Sequence, residues 1–152
     1  MAIQRTLVLC KPDAVQRGLV GRILSRFEER GFRVVGMRMV QFDDALADRH
    51  YHEHVEKSFY PGLRAFITSS PAIAIAIEGD DAVAVVRSMM GATNPKNAQP
   101  GTIRGDYGVD GTMNLVHGSD SPESAQRELS LFFGSGGLFE YDQTASKWVS
   151  RE

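Results

Sequence analysis

Residues 72–77 alternate strictly between alanine and isoleucine, and this alternation restricts the fold more than any other feature of the chain. A period of two predicts a β-strand whose isoleucines fill one face of a sheet. The small alanines on the other face would let a helix approach closely. Residues 6–10, which are apolar after Thr6, predict a second strand that is buried on both faces. We therefore expect these two strands at the centre of a sheet that is covered by helices.

The remaining segments supply further strands and helices. In order along the chain they are a helix through Leu19–Phe27 that is stopped by Gly31, a strand at Phe32–Phe42, short helices at 43–51 and 61–69, a helix from Asp80 to Gly91, and a final strand and helix. In the strand at 32–42, Val35, Met37 and Met39 share one face. The order predicts an α/β (α+β) sandwich, with a ferredoxin-like βαββαβ antiparallel sheet and helices packed on it. We expect residues 1–152 to form a single domain.

Composition and charge exclude several classes of protein. The chain of 152 residues is long enough for a buried core. Its net charge of −2 argues against tight, non-specific binding to nucleic acid. The single cysteine, Cys10, lies in an apolar strand, which suits a reduced thiol. No stretch approaches the ~20 apolar residues of a membrane span, and no apolar signal region is seen at the N-terminus. We therefore expect a soluble, cytoplasmic protein.

A single histidine lies in the run Asn114–Ser121, directly before a predicted helix that Ser121 caps. Glu128 falls on the flank of the apolar stripe of that helix. From there its carboxylate can hold the imidazole of His117, with Ser119 as a second anchor. A nucleophilic histidine needs one ring nitrogen fixed and the other presented to an electrophile. A core histidine that is hydrogen-bonded to its neighbours explains this segment equally well.

The stretch from Ala92 to Met113 has no periodicity and is rich in glycine and proline. A loop of this length in a compact domain is more often functional than decorative. It carries Arg104 and leads to His117, while Lys11 ends a central strand and Arg87 lies on a helix. Three cations around one histidine suit a polyphosphate. Taken singly, each cation is better explained as a solvated surface charge, and the familiar glycine-rich phosphate loops are absent from the sequence.

Other charged side chains and histidines have weaker interpretations. His50 and His54 have the i, i+4 spacing with which two imidazoles on one helix bind a metal ion. No acidic or cysteine residue completes that site in the sequence, so we do not expect a structural metal there. Arg127 is expected on the solvated side of its helix, opposite to Glu128.

Four segments resemble the motifs of the nucleoside diphosphate kinase family. They are Lys11–Gly21 (KPDAVQRGLVG), Thr93–Pro95, Pro100–Tyr107 and Asn114–Ser121. The resemblance runs from the first strand to about Trp148, and the motif around the histidine is highly specific. It implies that the protein transfers the terminal phosphate of a nucleoside triphosphate to a nucleoside diphosphate. The implied mechanism is ping-pong through a phosphohistidine, with broad base specificity.

The resemblance also implies roles for individual residues. His117 is the implied nucleophile, which Ser119 and Glu128 orient, and Lys11 is the fourth implied catalytic residue. The implied nucleotide ligands are Lys11, Tyr51, Arg87, Thr93 and Arg104 for the phosphates, Asn114 and Lys11 for the sugar, and Phe59 for the base. Mg²⁺ is implied to arrive on the nucleotide phosphates, with no direct protein ligand and with Asp120 reaching it through water. The implied assembly is a homo-oligomer, for which a hexamer is favoured and a tetramer stays open.

Two residues depart from the family pattern. Ser58 stands where many members have proline before the base-stacking aromatic, and Met113 stands where the family often has arginine. The sequence also leaves two alternative functions open. The first is a ferredoxin-like regulator that binds nucleotides without chemistry, which would need the cations but no oriented nucleophile. The second is a nucleic-acid-binding protein that stacks bases on Phe59, against which the near-neutral charge argues.

Overall fold

A computed structural model describes residues 2–149 of the chain. Its strands are β1 (Ile3–Cys10), β2 (Arg33–Val40), β3 (Ala72–Asp80) and β4 (Val116–Gly118). Its helices are α1 (Pro12–Gln16), α2 (Val20–Glu29), α3 (Asp44–His50), α4 (Tyr60–Thr68), α5 (Ala82–Met90), α6 (Ile103–Tyr107), α7 (Pro122–Phe133) and α8 (Ser146–Val149), with a 3₁₀ turn at Pro95–Asn97.

Over residues 2–149 the strands form one antiparallel sheet in the order β2-β3-β1-β4. The prediction that the strands at 6–10 and 72–77 are central is confirmed, and so is the ferredoxin-like α+β arrangement. The connection from β1 to β2 runs through α1 and α2 and leaves room for β3 between the two strands. The short β4 lies at the edge, beside the carboxyl end of β1.

The two faces of β3 contribute to different cores. Ala72, Ala74 and Ala76 lie in a core with residues of α7, among them Phe132. Ile75 and Ile77 lie in a second core, formed with α1, α2 and α5. The alanines thus allow the close approach of a helix that the alternation predicted, and the sheet is covered on both sides.

Two local predictions are corrected. The helix expected around Leu19–Phe27 is preceded by a separate short helix, because Gly18 adopts a φ of +68° and interrupts the chain between α1 and α2. Asp80 does not cap α5: it ends β3, and its carboxylate accepts a hydrogen bond from the Ala2 N–H. Asp81 precedes α5 instead, with a φ of +54° and no side-chain cap bond within the described residues.

A β-bulge between Val34 and Gly36 changes the predicted faces of β2. Val35 is buried in the core beside α7, whereas Met37 and Met39 are exposed. The shared face that simple alternation predicts is therefore wrong, because the extra residue of a bulge moves all later side chains to the opposite face. The stretch from 92 to 113 is also more regular than predicted, because it contains the 3₁₀ turn and α6.

Candidate active site

The candidate site lies where β4 ends and α7 begins. His117 pairs with Leu9 of β1 at the edge of the sheet, and its side chain is 26% exposed. Ser121 caps α7, since its side chain accepts a hydrogen bond from the Ser124 N–H, and Pro122 is the first helical residue. Strand β4 fixes the position of His117, and the cap at Ser121 fixes where α7 begins. Together they set the distance between His117 and the side chains of α7.

Glu128 projects from α7 and is the direct partner of His117. His117 Nε2 lies 2.5 Å from Glu128 Oε1, and the Glu128 side chain is only 3% exposed. The Ser119 hydroxyl lies 3.4 Å from the same carboxylate oxygen and accepts a hydrogen bond from the Leu7 N–H at 3.4 Å. Ser119 therefore acts on His117 through Glu128. Within the described chain no hydrogen bond reaches His117 Nδ1, so that nitrogen is available to an electrophile.

His50 and Tyr51, at the end of α3, form the wall behind His117. The imidazole rings of His50 and His117 are 4.7 Å apart, edge to face. Burial, and then the nearby His117 and Arg127, lower the pKa of His50 well below its usual value, so its imidazole is neutral. Among residues 2–149, the His50 ring nitrogens and the Tyr51 hydroxyl have no hydrogen-bond partner. These are polar groups that the site leaves unsatisfied.

Lys11, at the end of β1, is linked to the long loop. Its Nζ donates to Asn114 Oδ1 at 2.8 Å, and Asn114 Nδ2 donates to the Thr93 carbonyl at 2.8 Å. Burial, and then the positive charge of Arg104, lower the pKa of Lys11 to about 8. Leu115 follows with a φ of +75°, and the Val116 N–H bonds back to the Asn114 carbonyl at 2.9 Å. This is a strained γ-turn of the kind that recurs at functional sites.

The two arginines that were predicted to bind phosphate are anchored differently. Arg104 is buried, and its guanidinium donates to the carbonyls of Asn114, Gly91 and Val116. Burial, and then Arg87, lower the pKa of Arg104 to about 10, so it remains charged at neutral pH. Arg87 is exposed, and one of its nitrogens donates to the Gly118 carbonyl at 3.1 Å. The remaining guanidinium donors of Arg87 are therefore better placed to reach a ligand than those of Arg104.

The other predicted ligands lie on the surface. Thr93 is exposed in the loop after α5. Phe59 is 54% exposed just before α4, with the ammonium of Lys57 5.8 Å from its ring centre. Ser58 and Met113, which depart from the family pattern, are also exposed. No hydrogen bond in the described chain links these side chains to His117. The geometry by itself therefore does not bring them together on one nucleotide.

Two sequence interpretations are corrected at this site. Arg127 does not point away from Glu128: it lines the same small cavity and donates to the carbonyls of Arg49 and His50, at 3.1 and 3.3 Å. His50 does have an acidic neighbour, because α7 packs on the same face of the sheet as α3 and brings Glu128 close to it. Sequence reasoning paired His50 with His54 along one helix and missed a partner that is 78 residues away. On a helix, Arg127 and Glu128 follow Ser124 by three and four residues and so lie near the same flank. This spacing could have placed Arg127 beside the cavity.

The implied Mg²⁺ requires oxygen donors at the site. Magnesium prefers oxygen ligands and keeps several waters. Glu128 is engaged by His117 and Ser119, so Asp120, which is exposed at the rim of the cavity, is the carboxylate that fits an ion carried by phosphates. The Ser124 hydroxyl, and further the charge of Arg87, lower the pKa of Asp120, which is therefore ionised at neutral pH. One exposed carboxylate fits a water-mediated contact and not a dedicated metal cage.

Over residues 2–149, each helix falls short of the length and apolar character that crossing a membrane requires.

Comparisons with known proteins agree with this arrangement. Residues 4–137 match the family model described as nucleoside diphosphate kinase. The nucleoside diphosphate kinases of Carboxydothermus hydrogenoformans and Gloeobacter violaceus are 54% and 55% identical over 147 residues, which are 97% of this chain and 99% of each relative. The structure of a halophilic nucleoside diphosphate kinase from Halobacterium salinarum in complex with CDP gives a TM-score of 0.96 at 48% identity, and the match covers 99% of this chain and 100% of that one. The chain belongs to the nucleoside diphosphate kinase family.

Proposed function

We propose that this protein transfers the terminal phosphate of a nucleoside triphosphate to a nucleoside diphosphate through a phosphohistidine on Nδ1 of His117. The observation that carries the proposal is the 2.5 Å contact between His117 Nε2 and the buried Glu128. A carboxylate on Nε2 keeps the proton there, and this leaves the lone pair on Nδ1. A histidine nucleophile splits the transfer into two steps, so the kinetics are ping-pong.

In the first step the Nδ1 lone pair attacks the γ-phosphorus. The N–P bond forms as the bond from phosphorus to the bridging oxygen breaks, and the electron pair of that bond stays on the departing diphosphate. The imidazole becomes positively charged, and Glu128 stabilises that charge while Ser119 holds the carboxylate. In the second step a terminal oxygen of another diphosphate attacks the same phosphorus, and the electrons of the N–P bond return to Nδ1.

The remaining side chains position the nucleotide. We assign the phosphates to Lys11, Tyr51, Arg87, Thr93 and Arg104, the sugar to Asn114 and Lys11, and the base to Phe59. Phe59 is half exposed, and its ring centre lies 5.6 Å from that of His54, which lines the cavity. Stacking tolerates any base because every base has a π-face, which supports broad base specificity. Mg²⁺ carried on the nucleotide would neutralise phosphate charge, and we assign Asp120 to accept hydrogen bonds from its water shell.

The test uses ATP that is labelled on the γ-phosphate, with no acceptor present. The protein is expected to take up label, to keep it in base, to lose it in acid as a phosphoramidate does, and to return it to added diphosphate. His117→Ala should remain folded and take up no label. A variant that still labels stoichiometrically contradicts the assignment. Nucleotide binding by the wild type without any labelling would instead favour the non-catalytic regulator.

Family membership supports a proposal about the assembly, and a buried thiol supports one about the location. We propose a homo-oligomer, a hexamer rather than a tetramer. Cys10 is a free thiol that is fully buried in β1, and burial raises its pKa to about 12. An unreactive, reduced thiol supports a cytoplasmic location.

A further inference from the structure

The histidines of this chain converge on one small cavity beside the candidate site. Its lining includes His50, His52, His54 and His117, which are all four histidines of the sequence, and the carboxylates of Glu53, Asp120 and Glu128. The cavity has a volume of about 80 Å³, enough for an ion with coordinated water. Imidazole together with carboxylate is the donor set of zinc and other first-row transition metals.

Three of the residues that line this cavity form a compact set of donors. His50, His117 and Glu128 each offer a ligand atom, and these atoms lie within 4.8 Å of one another. Two ligands on one tetrahedral zinc ion are about 3.3 Å apart, as the Zn–N distance of about 2.0–2.1 Å requires. Small side-chain rotations therefore bring the three atoms onto one ion, with water in the fourth position.

His50 is the member of the set that nothing else in the described structure explains. It is only 4% exposed, and neither ring nitrogen has a hydrogen-bond partner in residues 2–149. Buried polar groups are normally bonded, and leaving one unsatisfied is costly. The lowered pKa of His50 keeps the ring neutral, so it offers a lone pair at neutral pH. A metal ion would satisfy that nitrogen.

We propose that His50, His117 and Glu128 form a binding site for a transition-metal dication such as Zn²⁺, and that occupancy of this site prevents phosphorylation of His117. The ion replaces the proton that His117 Nε2 shares with Glu128. It withdraws electron density from the ring whose Nδ1 takes the phosphoryl group, and it engages the carboxylate that stabilises the charged imidazole. The positive guanidinium of Arg127, at the cavity rim, opposes the ion and limits its affinity. The inhibitory part of the proposal rests on the proposed function, whereas the metal site does not.

The site is tested by titrating the protein with Co²⁺ in the absence of nucleotide and recording visible absorption. One equivalent is expected to give the intense bands of tetrahedral cobalt, and Zn²⁺ should abolish them. His50→Gln should weaken Co²⁺ binding by at least about 10-fold, since even partners outside the ligand shell are worth that much. His52→Gln is the matched control, because His52 lines the same cavity but its ring is exposed. Its Co²⁺ affinity should equal that of the wild type.

The inhibitory part is tested with wild-type phosphoenzyme from which nucleotide has been removed. This phosphoenzyme should give no cobalt bands until its phosphate is discharged.

The outcomes distinguish the parts of the proposal. Absent bands in the unmodified protein, or equal Co²⁺ affinity of His50→Gln and wild type, overturn the metal site. If His50→Gln does not fold by circular dichroism, Glu128→Gln takes its place. Equal Co²⁺ affinity of phosphorylated and unmodified protein overturns the inhibition. Failure of ATP to form any phosphoenzyme overturns the proposed function, and the first titration still decides the site.

Discussion

Glu128 is the residue on which the candidate site depends most directly. Its carboxylate is buried, and its side-chain hydrogen bonds within the described chain are with His117 and Ser119. A buried carboxylate is costly unless its hydrogen bonds are made. The imidazole and the hydroxyl supply those bonds, so the three residues hold one another in place and the histidine ring has a single orientation.

Glu128→Gln is expected to slow phosphoenzyme formation by about 10- to 1000-fold, because the charge that stabilises the phosphorylated imidazolium is lost. Nucleotide affinity should change little, because the cations remain. Rapid-quench measurement of labelling gives both quantities. Glu123→Gln, the same change at an exposed position of α7, is the control and should label at the wild-type rate. Equal rates for the two variants would falsify an orienting role for Glu128.

Lys11 has an unusual environment for a phosphate ligand. Burial and Arg104 lower its pKa from 10.5 to about 8, and Asp13 raises it by a smaller amount. Asp13 also accepts the Leu115 N–H at 3.1 Å. The protonated form of Lys11 is the one that attracts phosphate. The free enzyme therefore loses this charge as the pH rises through about 8, far below the pH at which an exposed lysine loses it.

The value of kcat/KM for magnesium ATP is expected to fall above a pH of about 8, since this parameter reports the ionisation of the free enzyme. In Lys11→Arg the fall should move to higher pH, because a guanidinium keeps its charge. A pH–rate profile of both proteins makes the comparison. A fall at the same pH in both would assign the ionisation to another group.

Whether the sequence predicts a contact at this site depends on how far apart the two residues lie along the chain. His117, Ser119 and Glu128 lie within one strand–helix unit, so helical periodicity was enough to place the carboxylate near the ring. His50 contacts His117 from an element 67 residues earlier in the sequence, and no local pattern reports that approach. The strained Leu115 was equally hidden, because a positive φ at a leucine has no sequence marker.

At the scale of elements, α7 connects the site to the helices that cover the sheet. Arg127 and Glu128 are neighbours in α7, and both reach the cavity beside His117. The guanidinium of Arg127 donates to the last carbonyls of α3, where the helix dipole favours a positive charge. We infer that Arg127 fixes the end of α3, and with it the positions of His50 and Tyr51.

Arg127→Gln should lower the free energy of unfolding by about 1 kcal/mol, the loss expected for partly exposed hydrogen bonds from a charged group. The amide protons of α3 should exchange faster while those of β1 and β3 do not. Urea unfolding and hydrogen exchange measure the two effects. Arg22→Gln, on the exposed surface of α2, is the control and should leave both unchanged. Unaltered exchange in α3 of Arg127→Gln would show that other contacts hold the helix.

Elements with strong periodicity were predictable, and those that depend on an irregular backbone were not. The alternation at 72–77 placed β3 and its two faces correctly because both faces are buried in cores that differ in side-chain size. In β2 the bulge near Gly36 brings the backbone close to Leu138, where a Cβ would lie 2.8 Å from a leucine methyl. That contact comes from a segment about 100 residues later, so the local pattern of β2 could not reveal the change of faces.

At the scale of the whole molecule, β2 is an edge of the sheet that is covered in part. The Phe139 N–H donates to the Val35 carbonyl at 2.9 Å, so the segment after α7 covers the first half of this edge. In the second half, Met37 and Met39 are 55% and 59% exposed. An open edge strand with large apolar side chains is a place where copies of a chain associate.

A purified sample is expected to have the mass of a closed homo-oligomer, about 100 kDa for a hexamer of 16.7 kDa chains. Light scattering after size-exclusion chromatography measures that mass. If the β2 edge takes part in assembly, Met39→Glu should lower the mass at micromolar concentration, because a buried unpaired carboxylate opposes association. Val109→Glu, at an exposed apolar position in the loop after α6, is the control and should assemble normally. A wild-type mass of 16.7 kDa would exclude the oligomer, and equal masses for the two variants would place its interface elsewhere.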